Sequence, residues 1–196
     1  MRKKELDYYR IVATPTPDGK RLVRRREYIG PRHTLLLDED EQKKLTAKFI
    51  AASLGALVLH VAAALWQVPS NVAGAIGGPS MMALVPMLFT AYGALNGLTV
   101  KNGDGMEQSK YRATSEYRRY GAAFSCLLLC YCFFACIVYT IIHRALVPLG
   151  KEALVCGEYL LAFLAFLWIW QTEKRLPYDR TEGERRLSDK ERRHNG

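Results

Sequence analysis

From Phe49 to Val100 the chain runs for fifty-two residues without one Lys, Arg, Asp or Glu. A water-soluble domain would interrupt such a run with solvent-facing charge. A bilayer core of about 30 Å is crossed by about 20 apolar helical residues. Residues 49–68 and 75–98 each supply such a stretch, and Pro69-Ser70-Asn71 between them reads as the turn of a helical hairpin. A second hairpin follows, with spans at 120–143 and 152–171 and a connector that holds Pro148 and Gly150. Backbone polar groups in lipid must be satisfied within the segment, so the spans are read as helices. The expected fold is an all-α integral membrane protein: four transmembrane helices in two hairpins, with a small N-terminal cytoplasmic β-hairpin unit. No signal-peptide pattern is visible, since the first hydrophobic stretch begins only at Phe49, behind a highly charged start.

Charge sets the expected orientation. Of the 28 Lys and Arg residues, all but Arg144 and Lys151 lie in 1–48, 101–119 and 173–196. Basic segments stay on the cytoplasmic side. Both termini and the central loop are therefore expected in the cytoplasm, in a multi-pass protein of the cell membrane. The same asymmetry accounts for the net charge of +9 without invoking nucleic acid. Trp66, near the outer end of the first span, and Trp168 and Trp170, near the inner end of the fourth, suit interfacial aromatic belts.

Three parts follow from this pattern: residues 1–37, a charged extended unit; 38–172, the four-span domain; and 173–196, a charged cytoplasmic tail. In the first part, residues 8–14 and 21–29 are β-favouring and flank Pro15-Thr16-Pro17-Asp18-Gly19, a strong turn signal. Gly30-Pro31 ends the second strand, and His33–Leu37 is a third candidate. Two or three short strands are marginal alone, so this unit needs the central loop, the membrane surface or a partner. At Asp38 the pattern turns helical, with Asp38 as the N-cap and Glu39, Asp40 and Glu41 in the first turn, where negative charge suits the helix dipole. The tail has too little apolar material for a core and reads as loosely ordered or transiently helical.

Small residues mark helix packing. Gly74 with Gly78, and Gly93 with Gly97, each have the four-residue spacing that puts both on one helix face, where a second helix can come close. Packing within the chain is preferred over a homo-oligomer seam. Gly77-Gly78-Pro79-Ser80 either breaks the second helix at membrane depth, as in transport sites, or, the preferred reading, marks a hairpin turn with a late-starting helix. Cys126, Cys130, Cys132 and Cys136 crowd the third span and Cys156 lies in the fourth. Their spacing offers no convergent ligand set, and no His or acid accompanies them, so they are read as small buried apolar side chains with no metal.

Ionisable side chains within the spans are the best lead to activity. His60 lies about two turns below the outer end of the first span, Glu158 at similar depth in the fourth, and His143 and Arg144 at the outer end of the third. Met together, these four make a candidate intramembrane polar cluster, able to relay a proton or hold a cation. The plainer alternative is a structural knot in which Glu158 pairs with Arg144 or Lys151 and His60 donates to a carbonyl. A transporter needs a second polar layer deeper in, and here that layer is only Asn96, Thr90 and Ser53. Arg24-Arg25-Arg26 and the tail arginines can meet anionic headgroups.

No convergent nucleophile, base or metal set is visible, so no catalytic residue, enzyme activity or cofactor is assigned. The expected function is a non-enzymatic membrane scaffold, accessory subunit or regulator. Its partners are the lipid bilayer and a membrane or cytoplasmic protein, with self-association into a homo-oligomer as one arrangement. The alternative is a small oligomeric transporter or channel that uses Glu158 and His60 for proton or cation coupling.

Overall fold

The computed structural model describes residues 8–15, 22–66, 68–100 and 105–182. The Asp18-Gly19 turn and the end of the charged tail lie outside them. Among the described residues four helices are long and apolar enough to cross a membrane: Glu39–Ala64, Gly74–Thr99, Gln108–Ile142 and Leu149–Arg175. Two small sheets accompany them, so the chain is mostly helical rather than all-α. The residues fall into two compact units. One comprises Met1–Leu36, Asn102–Tyr111 and Pro177–Gly196; the other comprises Leu37–Lys101 and Arg112–Leu176.

The first unit begins with a hairpin of β1 (Tyr9–Pro15) and β2 (Leu22–Tyr28), antiparallel from Tyr9 opposite Tyr28 to Pro15 opposite Leu22. Tyr9 and Tyr28 meet edge to face at 5.2 Å, a cross-strand aromatic pair that favours this register. The Tyr28 hydroxyl accepts the Gln108 backbone N–H and donates to the Pro31 carbonyl; burial pushes its pKa up. β3 (Arg32–Leu35) then forms the centre of a second antiparallel sheet, between β4 (Met106–Glu107) and β5 (Tyr178–Thr181). The expectation of a loose or helical tail is thereby corrected at its start. Residues 178–181 are a strand because β3 offers them an unpaired edge. A short helix, α4 (Gln108–Tyr111), follows β4, and Tyr111 stacks flat on His33 at 3.9 Å.

The second unit is the helical bundle. Its α1 (Glu39–Ala64) begins after Asp38, whose carbonyl accepts the Gln42 N–H but whose side chain makes no capping bond. Glu39–Glu41 still load the first turn with negative charge. Asn71, in the short helix α2 (Pro69–Val72), donates to the Ala63 and Trp66 carbonyls and so closes the end of α1. That is why Pro69-Ser70-Asn71 reverses the chain. α3 (Gly74–Asn96) runs unbroken through Pro79 and Pro86. A π-helical turn, Arg112–Glu116, leads into α5 (Tyr117–Ile142), and α6 (Leu149–Arg175) completes the bundle. α3 packs on α1 and α5, and α6 on α5 and α1, which closes a four-membered ring.

The interior holds Ala83, Met87, Ala122, Leu129, Cys132, Ala162 and Phe166, all buried. Large apolar side chains such as Val58, Met82, Val85, Leu88, Phe124, Leu127 and Ile141 point outward and are exposed. This inverts the pattern of a soluble bundle, in which polar residues cover the outer faces. In lipid, helix association depends on close packing rather than on burying apolar surface. The close approaches lie between α3, with the residue that follows it, and the π-helical turn and start of α5. A Cβ at Gly93 would stand 2.7 Å from the Thr114 carbonyl oxygen, one at Gly97 3.0 Å from an Arg118 nitrogen, and one at Gly121 2.5 Å from Thr90 Oγ1. Gly74 and Gly78 do not share this role. Both are exposed with nothing within 4 Å of a built Cβ, because they lie on the outer face of the first turns of α3.

Candidate functional site

Two groups of buried polar side chains lie near opposite ends of the bundle. The first surrounds His60, four residues before the end of α1. Its Nδ1 is 2.9 Å from Glu158 Oε1 on α6. Its Nε2 is 3.1 Å from the Ser80 carbonyl on α3 and 3.3 Å from Ser80 Oγ. The side chains of His60 and Glu158 are 2 % and 4 % exposed, so water screens neither. A carbonyl only accepts, so the 3.1 Å contact is a hydrogen bond when Nε2 carries a proton. The Nδ1–Oε1 contact then shares one further proton, as imidazolium with carboxylate or as imidazole with carboxylic acid. Either arrangement is neutral overall, which is the condition for burial in an apolar bundle.

Neighbouring polar groups extend this layer. The Tyr159 hydroxyl donates to Asn71 Oδ1 at 3.0 Å, and its ring lies 5.9 Å from that of His60. Glu152, about 1.7 turns before Glu158 on α6, is fully buried. Its Oε1 accepts the Ser70 backbone N–H at 3.2 Å, and its Oε2 has no hydrogen-bond partner; the same is true of Glu158 Oε2. Glu152 reads in the sequence as the edge of a span, where an acid is unremarked. Its signal was its position one turn inside Pro148, facing the connection that holds Ser70.

The remaining members of the expected cluster lie elsewhere. His143 Nδ1 is 3.0 Å from the carbonyl of Tyr139 on its own helix, and its ring stacks on Tyr139 at 4.3 Å. Arg144 is exposed in the α5–α6 turn, and Lys151 is exposed on α6. A residue at a helix end satisfies itself locally before it can reach across a bundle, and His143 has done so. Glu158 is held by His60 and by neither Arg144 nor Lys151.

The second polar group escaped the sequence reading. Arg118, at the start of α5, places Nε and one terminal nitrogen each 2.9 Å from Glu173 Oε2, near the end of α6. Ser115 Oγ donates to Glu173 Oε1 at 2.5 Å. The guanidinium also lies over the Phe49 ring, 4.8 Å from its centre, which brings in α1. Arg118 and Glu173 look like flanking charges in a hydropathy reading; the side chains are 5 % and 0 % exposed.

The stretch between the two groups is apolar but for a few hydroxyls. Along α6 it spans the fifteen residues from Glu158 to Glu173, about 22 Å of rise, with Ala162, Phe166 and Ile169 buried. The hydroxyls at this depth turn back on their own helices: Ser53 Oγ donates to the Phe49 carbonyl and Thr90 Oγ1 to the Pro86 carbonyl. Asn96 donates to the Ala113 carbonyl, and Ser125 Oγ is buried without a partner.

The five cysteines are free thiols; Cys126 and Cys132 each direct Sγ at a carbonyl of a neighbouring helix, 3.8 Å away. Among the described residues no group of three or more His, Cys, Asp or Glu is placed to hold a metal ion. No protein family, curated protein or solved structure matches this chain.

Proposed function

We propose that the chain is a four-span protein of the cell membrane that acts without chemistry of its own, as a scaffold, accessory subunit or regulator, through a cytoplasmic β-unit. One observation carries the reading: β3 pairs with β4 on one edge and β5 on the other. The three strands come from the N-terminal segment, the central loop and the C-terminal segment. Strands can pair only on one side of a membrane, so these three segments share a side, which an even number of spans provides. The basic residues in all three favour the cytoplasm as that side. A structured unit of short strands, with exposed groups such as Arg10, Ile11, Arg24 and Arg26 on its hairpin, is suited to engage a protein partner. The apolar stretch between the two buried polar groups supports a closed bundle rather than a conduit.

Topology is tested by cysteine labelling in intact cells: single cysteines at Asn71 and Pro148 react with an impermeant reagent, and one at Asp38 does not. Partner engagement is tested by a photo-crosslinking residue at Ile11 in native membranes, with a discrete adduct expected. A second reading, proton- or cation-coupled transport, draws on the unpartnered Oε2 atoms of Glu152 and Glu158. It requires a flux in proteoliposomes that Glu158→Gln abolishes while the protein stays folded.

A further inference from the structure

The register of the β1–β2 hairpin decides which backbone groups its edges offer. The Ile29 N–H donates to the Tyr8 carbonyl at 2.8 Å, so Tyr8 and Ile29 are a hydrogen-bonded pair. Bonded and non-bonded pairs alternate along an antiparallel ladder. Tyr9–Tyr28, Ile11–Arg26 and Ala13–Arg24 are therefore the non-bonded pairs, and their N–H and C=O groups point away from the opposite strand. On β2 these outward groups include those of Arg24 and Arg26. The sheet has two strands, so this edge of β2 pairs with no other strand among the described residues.

The same register places Arg24 and Arg26 on one face, with Ala13 and Ile11 beside them on β1. All four are exposed, Ile11 to 64 %. On the other face Arg10 is held by Glu27 at 3.1 Å. Neither Arg24 nor Arg26 has an ion-pair partner among the described residues. An open edge beside two unpaired arginines is selective. It discourages pairing of β2 with β2 of another copy, because like charges would lie opposite one another. It favours a strand with acidic side chains at the facing positions, which are two residues apart on one face of an extended segment.

We propose that the free edge of β2 is a docking site for an extended acidic segment of a partner protein, added as a third strand with carboxylates opposite Arg24 and Arg26. The proposal rests on the reading of the β-unit as the part that engages a partner, and it states what that partner brings. The outward N–H and C=O groups of Arg24 and Arg26 bond the segment's backbone, which supplies affinity. The two guanidiniums meet its carboxylates and supply selectivity. Anionic headgroups would answer the guanidiniums alone, since a lipid surface has no ladder to offer the edge.

The test uses the intact chain in phosphatidylcholine nanodiscs and three fluorescent peptides with blocked ends. One is Thr-Val-Glu-Val-Glu-Val-Thr, one has Lys for both Glu, and one is the Glu peptide with both Glu nitrogens methylated. Anisotropy gives the affinities, and hydrogen exchange read by mass spectrometry follows residues 22–28. The Glu peptide binds about tenfold tighter than the Lys peptide, the scale of two cross-strand charge pairs made favourable rather than repulsive. It also slows exchange within 22–28, and N-methylation abolishes both effects. Arg24→Glu with Arg26→Glu inverts the preference, a gain of Lys-peptide binding that misfolding cannot produce. Equal affinity for the Glu and Lys peptides, undiminished binding of the methylated peptide, or unchanged exchange in 22–28 overturns the site. So does slowed exchange caused by phosphatidylglycerol nanodiscs without peptide, which would make the occupant a bilayer surface. A dimer of the unaltered protein that the double variant splits would make it a second copy. If the peptides show no preference while the Ile11 crosslinker still yields a discrete adduct, this edge is refuted and the partner reading stands. A clear preference with no adduct in native membranes counts against the partner reading instead.

Discussion

The His60–Glu158 contact can be weighed with a double-substitution cycle. With Nε2 committed to the Ser80 carbonyl, Nδ1 of a neutral ring can only accept. Glu158→Gln supplies an amide N–H to that nitrogen and should cost under about 1.5 kcal/mol, the scale of one hydrogen bond. Glu158→Leu leaves Nδ1 buried without a partner, and His60→Leu leaves a buried carboxyl with neither oxygen satisfied. Each should cost about 1–3 kcal/mol. The double substitution to Leu removes both unpaired groups at once and should cost distinctly less than the sum of the two. Coupling between hydrogen-bonded side chains in membrane bundles averages about 0.6 kcal/mol and reaches about 1.7. The upper half of that range is expected here, because both side chains are almost fully buried. The assay is reversible unfolding of the bundle in mixed micelles, followed by Trp168 and Trp170 fluorescence. Additivity within about 0.5 kcal/mol, the tolerance for independent sites, would refute a direct pair. A Glu158→Gln protein as unstable as Glu158→Leu would refute the proton assignment at Nε2.

Glu173→Leu strands a buried guanidinium and should destabilise the bundle by about 3–5 kcal/mol, whereas Arg118→Met with Glu173→Leu should recover most of that loss; equal stability of the single and double variants would contradict it. Gly93→Leu should lower the melting temperature in detergent by several degrees and Gly78→Leu should leave it unchanged, since only the first meets backbone within 3 Å; a matched loss at both would show that Gly78 is packed. Truncation after Leu176 removes β5 and should raise hydrogen exchange at Arg32–Leu35, read by mass spectrometry; unaltered protection there would mean that β5 is dispensable to β3.

The helices were legible because their signal is a run of missing charge long enough for whole spans. The β1–β2 hairpin was legible because its turn chemistry lies between two β-favouring runs. What was not legible is what depends on long-range pairing. Nothing local distinguishes Tyr178–Thr181 from the charged residues after it, and only the free edge of β3 makes it a strand. The same holds for glycines: Gly74/Gly78 and Gly93/Gly97 have identical spacing, yet only the second pair faces another helix. In the polar layer, the depth of His60 and Glu158 was readable from helical rise, so their meeting followed once the helices were adjacent. Arg118, Glu152 and Glu173 were hidden because a charge near the end of an apolar run is indistinguishable from an ordinary interfacial residue. Their burial depends on helix length beyond the apolar window, and α6 extends to Arg175.

The two polar groups also explain why this bundle has one register. Apolar helices in lipid gain little by choosing one sliding position over another, since lipid chains and leucines are alike to them. Here α6 contributes an acid to each group. Glu158 ties it to α1, and through His60 to the Ser80 carbonyl of α3. Glu173 ties it to α5, and Arg118 in turn lies over Phe49 of α1, beside Gly93 of α3 and beside Gly97 just past the end of α3. A slip of α6 by a single turn, about 5.4 Å, would break both pairs together and strand charges in an apolar interior. A single buried polar contact is known to set register at some cost in stability; two, about 22 Å apart on one helix, fix both position and tilt. That role needs each pair to remain closed, which is the opposite of what a proton carrier requires. The sidedness of Glu158→Gln, mild for folding and without consequence for ion flux, is therefore the outcome that this geometry favours.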